Sequence, residues 1–182
     1  MRIILLGTGG YYANDRRHTP CMLLPQLGVV LDAGTATYRL AGRLESDHLD
    51  IFLTHTHLDH VVGLTYLLGL TYQRPVGRIT VHATAERLAA VEEHLFARPM
   101  FPKRPPLELR PLAAETPLPD GGRLTHFPLA HPGGSSGFRL EWPGHSLAYV
   151  TDTTAGPEVE YAEAIRGVDL LLHECNFADG FE

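Results

Sequence analysis

Three imidazoles and one carboxylate lie within six consecutive residues of the chain, 55–60, which read His-Thr-His-Leu-Asp-His. Imidazole and carboxylate are side chains with which proteins hold zinc and related divalent ions. Because side chains two apart on an extended strand point the same way, we expect His55 and His57 to converge on one cation. A helix that begins just after His57 would turn Asp59 and His60 toward a second position, where the helix dipole favours an aspartate. The segment therefore predicts ligands for two metal ions about 3.5–4 Å apart.

The alternative interpretation of this segment is a histidine-rich surface loop or a cluster of core histidines. The chain contains 11 histidines among 182 residues, which is a high number. Even so, three histidines and an aspartate in this spacing arise by chance in roughly one such chain in several hundred. We therefore interpret the segment as a metal site. The histidines at 48, 82, 94, 126 and 145 are expected on the surface or at strand ends.

The bulk composition narrows the class of protein. A chain of 182 residues is long enough for one domain with its own core. Its net charge of −6 argues against binding nucleic acid over a large surface, because phosphate contacts need clustered Lys and Arg. Two cysteines, Cys21 and Cys175, are too few for a disulfide framework, and no segment is apolar for long enough to span a membrane. We expect a cytoplasmic protein with no membrane partner.

Hydrophobic periodicity and turn residues predict a strand-rich chain with helices in both halves. The metal-binding segment, residues 54–60, follows a short apolar strand over 49–53, and a helix is predicted after it over 61–70. The opening strand, 2–6, is expected to be buried. The remaining strands are predicted at 21–24, 29–31, 79–82, 107–112, 123–129, 137–142, 146–151 and 168–173, and the remaining helices at 35–44, 84–97 and 158–166. No repeat and no linker interrupts this order, so it predicts one domain over residues 1–182, with two packed sheets and helices outside them.

The pattern of residues 55–60 resembles the His-x-His-x-Asp-His signature of the metallo-β-lactamase fold superfamily, in which it also follows a strand. Other segments are similar to parts of that family in the same order along the chain. They are the first-strand segments 6–10 and 32–34, the third metal motif at 131–139, the bridging-aspartate motif at 151–153, and the stretch 173–177, which is similar to His-Glu-Ala-Thr-Phe of the ribonuclease Z branch. The resemblance covers nearly the whole chain and points to the branch of ribonuclease Z and cyclic phosphodiesterases.

This resemblance implies a four-layer αββα sandwich, an α/β fold, with a two-metal site at the strand ends. The implied ligands are His55, His57 and His131 for the first ion, Asp59 and His60 for the second, and Asp152 as a bridge between them. Ligands without thiolate suit Zn²⁺, with Mn²⁺ or Fe as alternatives. A hydroxide activated by the two ions would attack the substrate, and Asp59 would orient or deprotonate that water. Glu174 is the second expected catalytic residue, as an orienting or proton-shuttling group.

The chain departs from the family pattern after Glu174, where further histidines are expected and none follows. One of them is a ligand of the second ion. We therefore expect the family's C-terminal segment to be missing here and the second site to be less complete than the first. His18 and His173 are the candidate substitutes for the absent ligand, although a structural role is favoured for His173. Apolar surface near Phe177 and Phe181 would then be uncovered, which favours self-association as a homodimer.

The implied reaction is hydrolysis of a phosphodiester, either RNA or a small or cyclic phosphodiester, and the negative net charge favours the small substrate. Two alternatives stay open: a hydrolase of carboxylic esters, lactones or thioesters, and a metal-binding relative without turnover. The loop 98–106 contains four prolines, and basic residues lie in or beside it at Arg98, Lys103, Arg104 and Arg110. It is either a rigid basic loop over the substrate or a solvated surface loop, and the sequence does not decide between them.

Overall fold

A computed structural model describes residues 1–156 and 158–175 of the chain. The chain divides into two compact units, unit 1 over Met1–Leu112 and unit 2 over Ala113–Glu182. Each unit is built on one mixed β-sheet, so the molecule has the predicted α/β character. The assignment of residues 1–182 to a single domain stays a prediction.

Unit 1 contains a six-stranded sheet whose strands lie in the order of the sequence. They are β1 Ile4–Gly7, β2 Cys21–Leu24, β3 Val29–Leu31, β4 His48–Phe52, β5 Arg78–Ala83 and β6 Glu108–Pro111. β1, β2 and β3 are antiparallel neighbours, whereas β3, β4, β5 and β6 run parallel. The carboxyl ends of β3, β4 and β5 therefore meet at one edge of the sheet, the edge at which open α/β sheets bind ligands.

Alternate residues of the parallel strands form the core of unit 1. Leu49 and Ile51 of β4 and Val81 of β5 are fully buried in one cluster with Leu64 and Leu67. The last two residues belong to the helical region that follows the metal-binding segment. Burial of these side chains, about 1.5–3 kcal/mol each, fastens that region to the sheet.

The helices of unit 1 are shorter than the sequence predicts. The predicted helix at 61–70 is divided into α1 Leu58–Val61, a 3-10 helix Val62–Tyr66 and α2 Leu67–Gln73. The predicted helix at 84–97 consists of α3 Ala85–Ala90 and a π-helical turn Val91–Leu95, and the one at 35–44 is a 3-10 helix over Thr35–Gly42. A short helix is stabilised mainly by packing rather than by its own hydrogen bonds. The spacing of apolar residues therefore predicts where a helix lies better than it predicts how long the helix is.

Unit 2 contains a five-stranded sheet with the order β11-β10-β9-β8-β7. Its strands are β7 Glu115–Leu118, β8 Gly122–Leu129, β9 Ser135–Trp142, β10 His145–Val150 and β11 Leu170–His173. β7 to β10 are antiparallel neighbours, and β11 pairs with β10 in parallel. β7 was not predicted from the sequence. It contains Pro117, which a strand tolerates here because β7 lies at the edge of its sheet. The predicted helix at 158–166 is reduced to a 3-10 turn over Glu160–Ala162.

One prediction of a buried strand is corrected by the position of that strand at a sheet edge. β1 was expected to be buried, but Leu5 is 53% exposed because β1 is the outermost strand of its sheet. β11 likewise lies at an edge, and Leu170 and Leu171 are 39% and 43% exposed. In the described part of the chain, no helix has the length and apolar character needed to cross a bilayer.

Candidate metal centre

The segment that follows β4 carries the predicted ligands His55 and His57. β4 ends at Phe52, so both histidines lie in the link between β4 and α1, and strand alternation is the wrong reason for their convergence. They do face each other: their ring centroids are 4.6 Å apart, and a ligand nitrogen of one ring lies within 4.8 Å of one of the other. His55 is buried, whereas His57 is exposed and is the N-cap residue of α1. A helix does begin just after His57, as the two-ion interpretation of the segment requires.

Thr54 fixes the orientation of His55. The backbone N–H and the hydroxyl of Thr54 both donate to the carboxylate of Asp32, at 2.8 Å and 2.9 Å. A hydroxyl has one proton to give, so the Thr54 oxygen accepts the hydrogen bond from Nδ1 of His55, at 3.0 Å. This network assigns the tautomer in which His55 carries its proton on Nδ1 and its lone pair on Nε2. A neutral imidazole held in this way is the form that binds a metal.

The geometry at His60, in the first turn of α1, fits a metal ion. Nδ1 of His60 donates to Oδ2 of Asp32 at 2.9 Å, and both side chains are buried. Nε2 of His60 then carries the lone pair, and it lies 3.3 Å from Oδ2 of Asp59. In the neutral ring these are two acceptor atoms, which repel each other at this distance unless a proton or a metal cation lies between them. Two ligands at about 2.0–2.1 Å from one zinc ion, at the tetrahedral angle, are themselves about 3.3 Å apart.

Asp32 is the site residue that the sequence analysis missed. It lies directly after β3, is fully buried and has a φ of 58°, an uncommon conformation for a residue other than glycine. The next residues bring the end of β3 against α1: Ala33 N–H donates to the carbonyl of His60 at 2.8 Å, and a Cβ on Gly34 would lie 2.3 Å from the carbonyl oxygen of Asp59. An aspartate followed by two small residues, at the end of the strand that neighbours β4, was the signal that could have identified it.

Unit 2 supplies the candidate ligands His131 and Asp152. His131 lies in the turn between β8 and β9, where its carbonyl accepts from the N–H of Gly134 at 2.8 Å. Asp152 follows β10 with a φ of 52°, and the hydroxyl of Thr151 donates to its Oδ2 at 3.1 Å. Left-handed conformations of such residues cluster at functional sites. The convergence of His131 and Asp152 with the histidines of unit 1 stays a prediction.

Glu174 lies beside the loop that contains Asp152. Its Oε1 accepts a hydrogen bond from the backbone N–H of Thr153, and its own N–H donates to the carbonyl of Val150 at 3.0 Å. The carboxylate therefore holds the residue after Asp152, and the backbone N–H of Glu174 holds the end of β10 two residues before it. A direct catalytic role for Glu174 stays a prediction.

His173 is engaged through both ring nitrogens within unit 2. Nδ1 lies 2.8 Å from the carbonyl oxygen of Glu174, which can only accept, so Nδ1 carries the proton. Nε2 then accepts from the hydroxyl of Tyr161 at 2.8 Å. Burial, followed by the nearby charge of Glu174, raises the pKa of Tyr161, which keeps that hydroxyl protonated. These contacts give His173 a structural role. Phe177 and Phe181, on which the expected self-association depends, lie outside the described residues.

Two other histidines have defined surroundings in unit 1. Nδ1 of His18 lies 3.1 Å from Oγ1 of Thr35, and its ring packs edge-on against Tyr38 with centroids 5.0 Å apart. His82 was expected on the surface or at a strand end: it is the second-to-last residue of β5, but it is buried, with 3% of its surface exposed. Its ring stacks on Phe52, its register partner on β4.

The basic residues of the proline-rich loop are engaged mostly with neighbours in unit 1. Lys103 donates to the hydroxyl of Tyr72 at 2.9 Å, and Arg110 pairs with Glu108 at 3.2 Å. Arg104 pairs with Glu92. These contacts fit the surface-loop interpretation, since three of the four cations already have local partners.

The histidines and carboxylates of unit 1 form a candidate metal site, and comparisons with known proteins give the family. Residues 28–182 match the model of the beta-lactamase superfamily domain, and the chain belongs to this family. Its members are mostly metal-dependent hydrolases. The chain is 27% identical to ribonuclease Z of Nocardia farcinica over an alignment of 234 residues, which covers 97% of this chain and 75% of that protein.

Solved structures show the same fold. The short form of human tRNase Z superposes with a TM-score of 0.73 at 21% identity, covering 98% of this chain and 80% of that one. Zn²⁺-bound PqqB from Methylobacterium extorquens superposes with a TM-score of 0.68 at 19% identity, covering 96% and 72%. The predicted α/β metallo-β-lactamase-like fold, with its two mixed sheets, is thus confirmed.

Proposed function

We propose that this chain is a metal-dependent phosphodiesterase that holds zinc at its histidine-rich segment. The observation that carries the metal assignment is the 3.3 Å separation of Nε2 of His60 and Oδ2 of Asp59, with Asp32 hydrogen-bonded to the far side of the imidazole. A carboxylate behind a histidine fixes the ring and makes it a stronger ligand.

The proposed centre extends the ligands of unit 1 with those of unit 2. The proposed ligands are His55, His57 and His131 for one ion, and Asp59, His60 and a bridging Asp152 for the other. Bound zinc would supply an acidic water at neutral pH and polarise an oxygen of the ester. Asp59 is partly exposed on the first turn of α1, where its carboxylate can orient the attacking water and accept its proton. Thr54 and Asp32 keep His55 and His60 in their ligating tautomers.

Two observations support a phosphodiester as the substrate. The relative from Nocardia farcinica is called a ribonuclease Z, and this enzyme name implies cleavage of a phosphodiester bond. The His173-Glu174 stretch is similar to the same branch of the family. The net charge of −6 favours a small or cyclic phosphodiester over a large RNA, since phosphate-rich partners are repelled by an acidic chain.

The experiment that tests the proposal is a substrate panel on the zinc- or manganese-loaded protein. We expect turnover of bis-p-nitrophenyl phosphate that is lost on chelation and regained when metal is restored. Turnover of lactones, thioesters or carboxylic esters with no turnover of any phosphodiester would replace the proposed reaction by its alternative. Tight zinc binding without turnover of any of these substrates would leave a metal-binding relative and refute the enzyme.

The second ion is expected to bind more weakly than the first. Within residues 1–182 its proposed ligands are Asp59, His60 and a shared Asp152, so one of its three protein ligands is divided between two ions. Titration of the metal-free protein with zinc, in competition with a chromophoric chelator, should therefore show one tight and one weaker step. Two equally tight zinc ions per chain would refute this order.

A further inference from the structure

The topology of unit 1 brings α3 to the metal-binding segment. β4 and β5 are parallel neighbours with Phe52 opposite His82, and the N–H of Leu53 donates to the carbonyl of His82 at 2.9 Å. Both strands therefore end at the same edge of the sheet. The residues after β4 form the metal-binding segment, and the residues after β5 form α3, of which Arg87 is the third residue.

Arg87 contacts the backbone at the start of the metal-binding segment. Its Nη1 donates to the carbonyl oxygen of Thr54 at 2.7 Å. Thr54 is fully buried, and its N–H and hydroxyl both donate to Asp32. The three polar groups of Thr54 are thus held from two sides, by a cation on α3 and by a carboxylate after β3.

We propose that Arg87 is a positioning residue of the metal centre, which fixes the peptide plane between Thr54 and His55 and thereby the direction of the His55 ring. Because a peptide group is planar, an oxygen held by Arg87 also fixes the nitrogen of the next residue. His55 starts from that nitrogen, and its ring is held at Nδ1 by the hydroxyl of the same Thr54. This inference rests on the proposed function, since it assumes that His55 binds a metal.

Arg74 offers a matched control in the same unit. It too donates to backbone carbonyls, those of Leu44 and Ser46, and it is likewise partly buried. These carbonyls precede β4, whereas Thr54 follows it, so Arg74 supports the opposite end of the strand. Arg74→Met removes comparable hydrogen bonds without touching the metal-binding segment.

The experiment compares Arg87→Met, Arg87→Lys and Arg74→Met with the unchanged protein. Zinc affinity is measured by chelator competition, the cobalt-loaded proteins by their visible spectra, and the metal-free proteins by thermal unfolding. We expect Arg87→Met to lower zinc affinity about 10- to 100-fold and to alter the cobalt spectrum. Arg87→Lys should recover part of the affinity because it keeps one donor. Arg74→Met should lower the unfolding temperature but leave zinc affinity and the cobalt spectrum unchanged.

The outcomes separate this inference from the proposed function. An unchanged protein that binds no zinc refutes the proposed function and the positioning role with it. Zinc bound by the unchanged protein and by Arg87→Met with equal affinity refutes the positioning role alone. If Arg87→Met does not fold without metal, Arg87→Lys decides: reduced affinity and an altered cobalt spectrum support the role, and unchanged values refute it.

Discussion

Unit 1 contains two buried aspartate–histidine pairs, Asp32 with His60 and Asp50 with His82, and their contact distances are nearly equal at 2.9 Å and 3.0 Å. In each pair the carboxylate also has further donors: Thr54 in the first, and Arg78 in the second at 2.9 Å. The pairs differ at the other side of the imidazole. The far nitrogen of His60 lies 3.3 Å from the carboxylate of Asp59, whereas the ring of His82 stacks on an aromatic side chain, with centroids 4.5 Å apart.

The comparison shows that a buried aspartate–histidine pair does not by itself indicate a metal site. We assign His60 to a metal site because the carboxylate of Asp59 faces its far nitrogen and because His60 lies at the edge of the sheet where the parallel strands end. The second pair instead lies within the sheet and includes a guanidinium. Burial raises the pKa of Asp50, but the hydrogen bond from His82 and the charge of Arg78 lower it by more, so the net shift is downward. We therefore interpret the second pair as a stabilising element of the sheet.

The largest effect is expected for Asp59→Ala. Loss of this carboxylate removes a proposed ligand and the group that orients the water, so turnover of the phosphodiester should fall by more than about 100-fold, beyond the usual cost of losing an outer partner. The unfolding temperature of the metal-free protein should change little, because the side chain is polar and contributes little to the core. Asp47→Ala is the control, since the Asp47 side chain is 98% exposed. Equal activities of the two variants would remove Asp59 from the site.

Asp32→Asn should lower zinc affinity about 10- to 100-fold. Asp32 accepts hydrogen bonds from the N–H of Thr54, the hydroxyl of Thr54 and Nδ1 of His60, and an amide has a single oxygen to replace two. The same exchange in the other pair, Asp50→Asn, should leave zinc affinity unchanged. Chelator competition on both variants measures the difference. If both variants lost affinity alike, the proposed distinction between the pairs would be wrong.

Asp50→Asn should instead lower the free energy of unfolding by about 1.5–3 kcal/mol at neutral pH, as expected for the loss of hydrogen bonds to a charged group. The pKa of Asp50 is lower in the folded state than in the unfolded state, where it is about 3.9. The ionised Asp50 therefore stabilises the fold fully at pH values above about 3.9, and this contribution is lost as the pH falls through the folded-state pKa. Urea unfolding of the wild type and the variant should therefore show a gap that is constant near pH 7 and closes below about pH 3.9. A gap that stays the same at every pH would show that the charge of Asp50 is not responsible.

Arg104→Ala should have the smallest effect. Arg104 pairs with Glu92 and lies over the ring of Phe96 at 5.4 Å, on a partly exposed surface. Such pairs contribute about 1 kcal/mol or less, so thermal unfolding should shift slightly. The KM for a small phosphodiester should not change if the loop is only a surface loop. A KM raised several-fold, with the fold intact, would favour the basic-loop interpretation.

Local sequence patterns predicted several secondary-structure elements and the types of the candidate ligands. The hairpin of β2 and β3 has the predicted bounds. The helical region begins directly after His57, three residues before the helix predicted at 61–70, so Asp59 and His60 stand on the first turn of α1. These features depend on neighbours in sequence: alternating apolar residues, turn residues and the first turn of a helix. The ligand types were visible for the same reason, because four of them lie within six residues.

The partners of those ligands were decided by the tertiary structure. Asp32 and His60 are 28 positions apart, and only the parallel pairing of β3 with β4 brings the end of one strand beside the segment that follows the other. His82 was expected on the surface or at a strand end; it does lie next to the end of β5, but register with Phe52 and a hydrogen bond to Asp50 hold it in the interior. Such pairings between separate strands are set by sheet register, which buries whole faces of side chains at once, so the residues beside one partner do not identify the other partner.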